Sequence, residues 1–149
     1  PFDGRPGDPS LPGRALQQLV QWTLAHEDAV LCIRPRAGET PPDVPMHERI
    51  VITGQELALP ALLHACDLVV TLTSTVGLEG HLAGCRLVQV TGSVFDAAMP
   101  LLRYGIADAA VPVLDLPAAL DRWATAPRRT AQNLTPATQR VLSHISAFL

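Results

Sequence analysis

The sequence predicts an α/β fold, a three-layer α/β/α sandwich built around a doubly wound parallel sheet. Three observations carry this expectation. Short apolar, β-branched runs alternate with segments of helical apolar spacing. Most links between them are short and rich in Gly and Pro, as in successive βαβ units. The runs are short and mostly apolar, as in strands buried on both faces. Right-handed crossovers wind such units into a sheet covered by helices on both sides. The chain has 149 residues, 48% hydrophobic and 17% charged, the length and composition of one well-buried domain.

The elements follow in order. Leu16, Leu19, Val20 and Leu24 recur at helical spacing, predicting a helix from Pro12 to His26. Ala29 to Pro35 is a short apolar run stopped by proline, a buried strand. A Pro-rich loop leads to a second strand, Arg49 to Gly54, β-branched and ended by glycine. Leu59 to Cys66, with Pro60 in the first turn, predicts a short helix. Asp67 to Thr73 is a third strand, and Thr75 to Gly84 a helix with Gly84 as its stop. Arg86 to Gly92 is a fourth strand. Ser93 to Gly105 is expected to be helical, with a kink or break at Pro100. Ala109 to Leu114 suits an edge strand, because Pro112 cannot donate to a central ladder. Asp115 is expected to cap a helix carrying Leu116, Leu120 and Trp123 on one face. A last helix opens at Thr135-Pro136 and carries Val141, Ile145 and Phe148.

The formal net charge of −3 excludes a strong electrostatic pull on nucleic acid or on anionic membrane. Every basic residue is arginine, so an anion site would be built from Arg and backbone N–H groups. Cys32, Cys66 and Cys85 are odd in number and lack metal-ligand spacing. They are expected to be small buried thiols in a reducing, cytoplasmic compartment, with no metal and no cofactor bound. No apolar run approaches the roughly 18 residues of a membrane span. The N-terminal stretch is Gly- and Pro-rich, with no initiator Met or signal-peptide core, and is expected to be a loop in a longer protein.

The chemistry-bearing segment is "TLTSTVGLEG", Thr71 to Gly80. In open α/β sheets, ligands collect at the carboxyl ends of the strands. Thr73, Ser74 and Thr75 stand at such an end, where a strand turns into a helix. Ser and Thr are the usual helix caps, so an ordinary cap is one reading. The other is an oxyanion site, with helix-start N–H groups and hydroxyls as donors and Gly77 allowing close approach. Glu79 is out of step for a capping box. It is either a solvated glutamate or a carboxylate that accepts two hydrogen bonds from a ribose diol. Phosphate at the helix start and ribose one turn on is a nucleotide arrangement.

"DLVVTLTSTVGLEGHLAG", Asp67 to Gly84, resembles the nucleotide-sugar signature of the C-terminal domains of GT-B glycosyltransferases and of the related UDP-N-acetylglucosamine 2-epimerases. The Ser-Thr-Val-Gly-Leu-Glu wording is most similar to bacterial surface-polysaccharide transferases. The resemblance implies a Rossmann-like half of a GT-B fold. It gives the diphosphate to Ser74, Thr75 and Gly77, and the ribose to Glu79. Arg34, in "CIRPRAGE", stands where such proteins often carry a basic residue and would clamp a phosphate bidentately. The following His of the family pattern is Arg36 here. Thr91, Gly92 and Ser93 close the next strand on the same rim and are candidates for the sugar or diphosphate pocket.

The implied partner is a nucleoside-diphosphate sugar, with an acceptor domain supplied by an N-terminal half. The family's opening strand is not represented, so the first strand is expected to be truncated. The edge so exposed invites homodimerisation of the fragment. The resemblance is also compatible with peripheral membrane association of the full-length protein. An epimerase-type enzyme domain and a non-enzymatic α/β binding module remain alternatives.

Overall fold

The structure, a computed structural model, describes residues 7–132. The helix expected from Thr135 onward lies outside the described residues, as do the first six positions. The order is α1 (Leu11–Ala25), β1 (Leu31–Ile33), β2 (Ile50–Ile52), α2 (Leu59–Ala65), β3 (Leu68–Thr71), α3 (Val76–Leu82), β4 (Arg86–Thr91), β5 (Ala109–Pro112) and α4 (Leu116–Trp123). All strands pair in parallel, so the α/β class holds. They form two small sheets: β1–β2, and β3–β4–β5 with β4 central. The single continuous sheet expected from sequence is therefore divided between β1 and β3. Among the described residues no helix is long and apolar enough to cross a membrane.

β4 shows why the three-stranded sheet is a core. It has a neighbour on each side, and four successive residues, Leu87 to Val90, are buried. Val88 and Val90 face α1 and α4, packing on Leu11, Ala15, Leu116 and Leu120. Leu87 belongs to the opposite face, with Leu63 of α2, Val69, Cys85 and Leu101. α3 lies close on that face because it presents glycines. A Cβ on Gly77 would stand 3.0 Å from Thr71 Cγ2 and 3.2 Å from Leu87 Cδ1, and one on Gly80 2.9 Å from Val69 Cγ2. Gly84 stops the helix as expected, with φ +88°.

Buried polar groups set the loops. Gln89, 2% exposed, donates to the carbonyls of Leu72 (3.0 Å) and Met99 (2.8 Å) and accepts from Leu101 N–H (3.1 Å). These bonds explain a correction. The segment after Ser93 is not helical but forms two turns, 94–98 and 101–105. Pro100 lacks an N–H and blocks helical continuation, and the Gln89 amide takes the main-chain groups on either side of it. Asp115 stands before α4 but makes no side-chain cap bond. A 3-10 turn, Val113–Asp115, runs straight into the helix, and Leu116 N–H finds the Val113 carbonyl instead.

At the amino ends of β4 and β5, Asp108 accepts from Leu87 N–H (2.8 Å) and pairs with Arg86 (3.0 Å) and Arg129 (2.8 Å). Arg129 also contacts His81 and the Ile106 carbonyl. Arg128 donates to the carbonyls of Leu63, His64, Cys66 and Ala83, closing the ends of α2 and α3. Segment 127–132 thus clasps the edge of the sheet opposite the strand carboxyl ends.

Candidate functional site

α1 orients both sheets in the same sense. Its start lies beside the carboxyl ends of β3 and β4, where Gly7 to Pro9, Leu11 and Pro12 line a cleft with Leu72 and Ser93 to Phe95. Its end lies at the amino ends of β1 and β2, where Arg49 donates to the carbonyls of Thr23 (2.6 Å) and Ala29 (3.3 Å). The carboxyl ends of both sheets therefore lie toward the same end of the molecule. A second cleft runs along the ends of β1 and β2, between Pro35 to Glu39 and Ile52 to Gln55.

The turn from β3 into α3 is built from its own hydroxyls. Ser74 N–H donates to Thr71 Oγ1 (3.3 Å), Val76 N–H to Ser74 Oγ (3.2 Å), and Gly77 N–H to the Ser74 carbonyl (3.1 Å). The donors expected to be open at the helix start are thus taken: Ser74 accepts from the first two and the Thr75 carbonyl from Leu78 and Glu79 N–H. Thr73 is half-buried and Thr75 exposed. Glu79 is also exposed, on the face of α3 turned away from Gly77 and Gly80. Thr75 and Glu79 are four apart, so they are neighbours one turn apart on the open face. Among the described residues the hydroxyls of Thr73 and Thr75 and the Glu79 carboxylate have no hydrogen-bond partner. The smallness of Gly77 is accounted for by its packing on β3 and β4.

Thr91 ends β4, and Gly92 turns the chain with φ +112° against Leu11. Gly92 N–H donates to Asp96 Oδ2 (2.7 Å), while Ser93 Oγ accepts from Phe95 N–H (3.2 Å). Asp96 was not singled out in the sequence; its only signal is an acid four residues after a turn glycine. Its other oxygen, Oδ1, is buried without a partner among the described residues. Asp8 organises the start of α1, accepting from Ser10 N–H (2.9 Å) and Ser10 Oγ (2.6 Å) and pairing with Arg14. These bonds, those from Ser10 foremost, hold its carboxyl below the ordinary value.

Arg34 follows β1 and belongs to the other sheet. Its guanidinium donates to the carbonyls of Gly54 (3.2 Å) and Leu57 (2.6 Å) and to Gln55 Oε1 (3.2 Å). It ties the end of β1 to the loop after β2. The structure thus brings Thr73, Ser74, Thr75 and Glu79 together on one turn and sets Thr91 to Ser93 on the adjacent strand, with Arg34 engaged elsewhere on the rim.

Compared with known proteins, the chain matches no family model, no curated protein and no solved structure.

Proposed function

We propose that this chain is the donor-binding domain of a glycosyltransferase that draws a sugar from a nucleoside diphosphate for bacterial surface polysaccharide or lipopolysaccharide. In this reading the scaffold is a doubly wound α/β/α sandwich, the compartment is the cytoplasm, and the acceptor domain belongs to the rest of a longer polypeptide. The reading rests on the resemblance of the β3–α3 segment and on one structural observation. Thr75 and Glu79 share an exposed face at the carboxyl ends of the strands, one turn apart and with no side-chain hydrogen-bond partner among the described residues.

A diphosphate would be held by the hydroxyls of Thr73, Thr75 and Thr91 and by Ser93 in the turn after β4, where the Gly92 N–H is already taken by Asp96. α3 has only seven residues and its first amides are satisfied, so hydroxyl donors matter here more than the helix start. The Glu79 carboxylate would accept from both hydroxyls of a ribose diol. Donors fixed before the reaction stabilise charge that develops on the leaving diphosphate, which is how such a domain would accelerate transfer. Arg34 would reach a phosphate only by releasing its present acceptors, so it enters this scheme as a support of the rim.

NMR titration with UDP, CDP, GDP and their sugars tests the proposal. Expected are amide shifts confined to residues 73–79 and 91–93. Glu79→Ala should weaken nucleotides by about 10-fold or more, the worth of a hydrogen bond to a charged group, and leave inorganic diphosphate unchanged. The internal capping by Ser74 favours a second reading, a self-capped turn in a non-enzymatic module. No response to any nucleotide would select that reading and overturn the first.

A further inference from the structure

We infer that His81 is a proton-operated latch. With its ring neutral it holds the strap of residues 127–132 against the end of α3, and a proton on the ring releases the strap from Arg129 onward. This inference does not depend on the nucleotide reading.

The ring stands between the strap and the approach to β5. His81 is in the last turn of α3 and half-buried. Its Nδ1 lies 3.0 Å from the Ile106 carbonyl and also meets Nη1 of Arg129. Its Nε2 lies 3.3 Å from the side-chain nitrogen of Gln132. A neutral imidazole has one N–H and one lone pair, and a guanidinium can only donate. With the lone pair on Nδ1, the ring accepts from Arg129. With it on Nε2, the ring accepts from Gln132 and donates to the Ile106 carbonyl. Either tautomer bonds a residue of the strap. The imidazolium has no lone pair. Gln132 can adapt by turning its amide round, but Arg129 is left facing an N–H and a positive charge.

The surrounding charges do not compensate. Arg129 joins the ring to Asp108, which also pairs with Arg86. That carboxylate is already used: Oδ1 takes both guanidiniums, and Oδ2 takes Leu87 N–H. Arg128, next along the strap, is a third cation, held on the Ala83 carbonyl (2.9 Å) at the same helix end. Glu79 on α3, Asp67 ahead of β3, His64 on α2, and Arg103 and Tyr104 ahead of Ile106 are exposed. Burial raises the thiols of Cys66 and Cys85, which stay neutral. Asp108 is held below the ordinary carboxylate range and stays ionised. Between about pH 8 and pH 5, where histidines titrate, His81 is therefore the group bonded to the strap that changes charge.

Little else holds the far half of the strap. Thr130, Ala131 and Gln132 are exposed. Arg129 N–H donates to the Gly84 carbonyl and Gln132 N–H to the Leu82 carbonyl, both at 2.8 Å. Carbonyls at a helix end lack partners within the helix, so the strap serves as the cap of α3. Arg128 is anchored on four other carbonyls and makes no bond to His81 among the described residues, so the near half stays in place when the far half lifts. The closed strap takes up fewer protons than the open one. Acid therefore favours opening, as a local event and not as unfolding.

Amide hydrogen exchange followed by NMR tests this on the 149-residue chain, at about pH 7.5 and about pH 5.5, each rate divided by the intrinsic rate at that pH. Protection of the Arg129 and Gln132 amides should fall about 10-fold or more in acid, the worth of one hydrogen bond from a charged group, in step with protonation of the His81 ring. The amides of Arg86 and Asp108, bonded to the Asp67 and Leu87 carbonyls, should keep theirs. His81→Gln retains an acceptor for Arg129 and cannot titrate, so its strap should stay protected in acid. His81→Lys is charged at both pH values and should leave the strap open at both. Unchanged protection of the parent strap in acid, whether or not the ring has taken a proton, would overturn the inference. So would an equal acid loss in His81→Gln, which would place the titrating group elsewhere, or a His81→Lys strap as protected as the parent's at about pH 7.5. No sample contains nucleotide, so failure here and failure of the donor-site reading are separate results.

Discussion

Replacing Gln89 by leucine tests how the rim is held. The side chain is 2% exposed and satisfies three main-chain groups: the carbonyls of Leu72 and Met99 and the N–H of Leu101. Leucine matches its volume closely but leaves the Leu72 carbonyl without a partner, and leaves the Met99 carbonyl and Leu101 N–H only their bond to each other (3.0 Å). The buried orphan costs about 1–3 kcal/mol and the two other lost bonds about 0.5–1.5 kcal/mol each, while burying an apolar side chain returns part of that, so the net loss should be about 2–4 kcal/mol. Domains of this size are stable by about 5–15 kcal/mol, so the loss is a large share. With a urea m-value of about 2 kcal/mol/M, the midpoint should fall by about 1–2 M. Far-UV circular dichroism and Trp fluorescence should report the same midpoint if unfolding is two-state. Gln89→Glu should be no better, since a carboxylate accepts from Leu101 N–H but faces two carbonyl oxygens. A Gln89→Leu chain with an unshifted or higher midpoint would refute the reasoning, for then the three bonds hold nothing.

Asp108→Asn should cost about 2–4 kcal/mol at pH 7, toward the low side for buried pairs because Arg86 and Arg129 keep about a fifth of their exposure. Burial by itself raises this carboxyl, but Leu87 N–H, Arg129 and Arg86 outweigh it and hold the group below its usual range. A lowered folded-state pKa adds stability that is present above the unfolded value, about 3.9, and is lost as pH falls through the folded value. The gap in thermal melts between Asp108→Asn and the parent should therefore hold from pH 7 down to about 4 and narrow below that. Gly84→Ala should lose about 1–3 kcal/mol in urea, since φ is +88° and the new Cβ would stand 2.5 Å from the Arg129 carbonyl. Arg128→Met should lose about 2–3 kcal/mol by the same assay, because four helix-end carbonyls lose a charged donor.

Much of the framework was legible locally. Strands β2, β3 and β4 were found from β-branched runs, and α2 from Pro60, because these signals act within a few residues. Gly84 was legible as a helix stop for the same reason. The Ser93 to Gly105 segment was not: its apolar spacing suits a helix, and only the distant Gln89 amide and Pro100 decide otherwise. Gly77 shows the same limit at the site. In sequence it suggests room for a ligand, and in the fold it is what lets α3 approach Thr71 and Leu87. Asp96 and Asp8 carried no motif, since a carboxylate that organises a turn is recognised by the amides it meets.

The sequence by itself determined that this is an α/β chain of parallel strands, that Thr73 to Glu79 forms a strand-to-helix turn, and that hydroxyls rather than lysines dominate that turn. Those properties follow from periodicity and residue chemistry over short spans. Only the tertiary structure decided which helix-start donors are already taken, that Arg34 is bound to the loop after β2, and that the strands fall into two sheets. Hydrogen-bond partners tens of residues apart make those choices, and no local pattern records them.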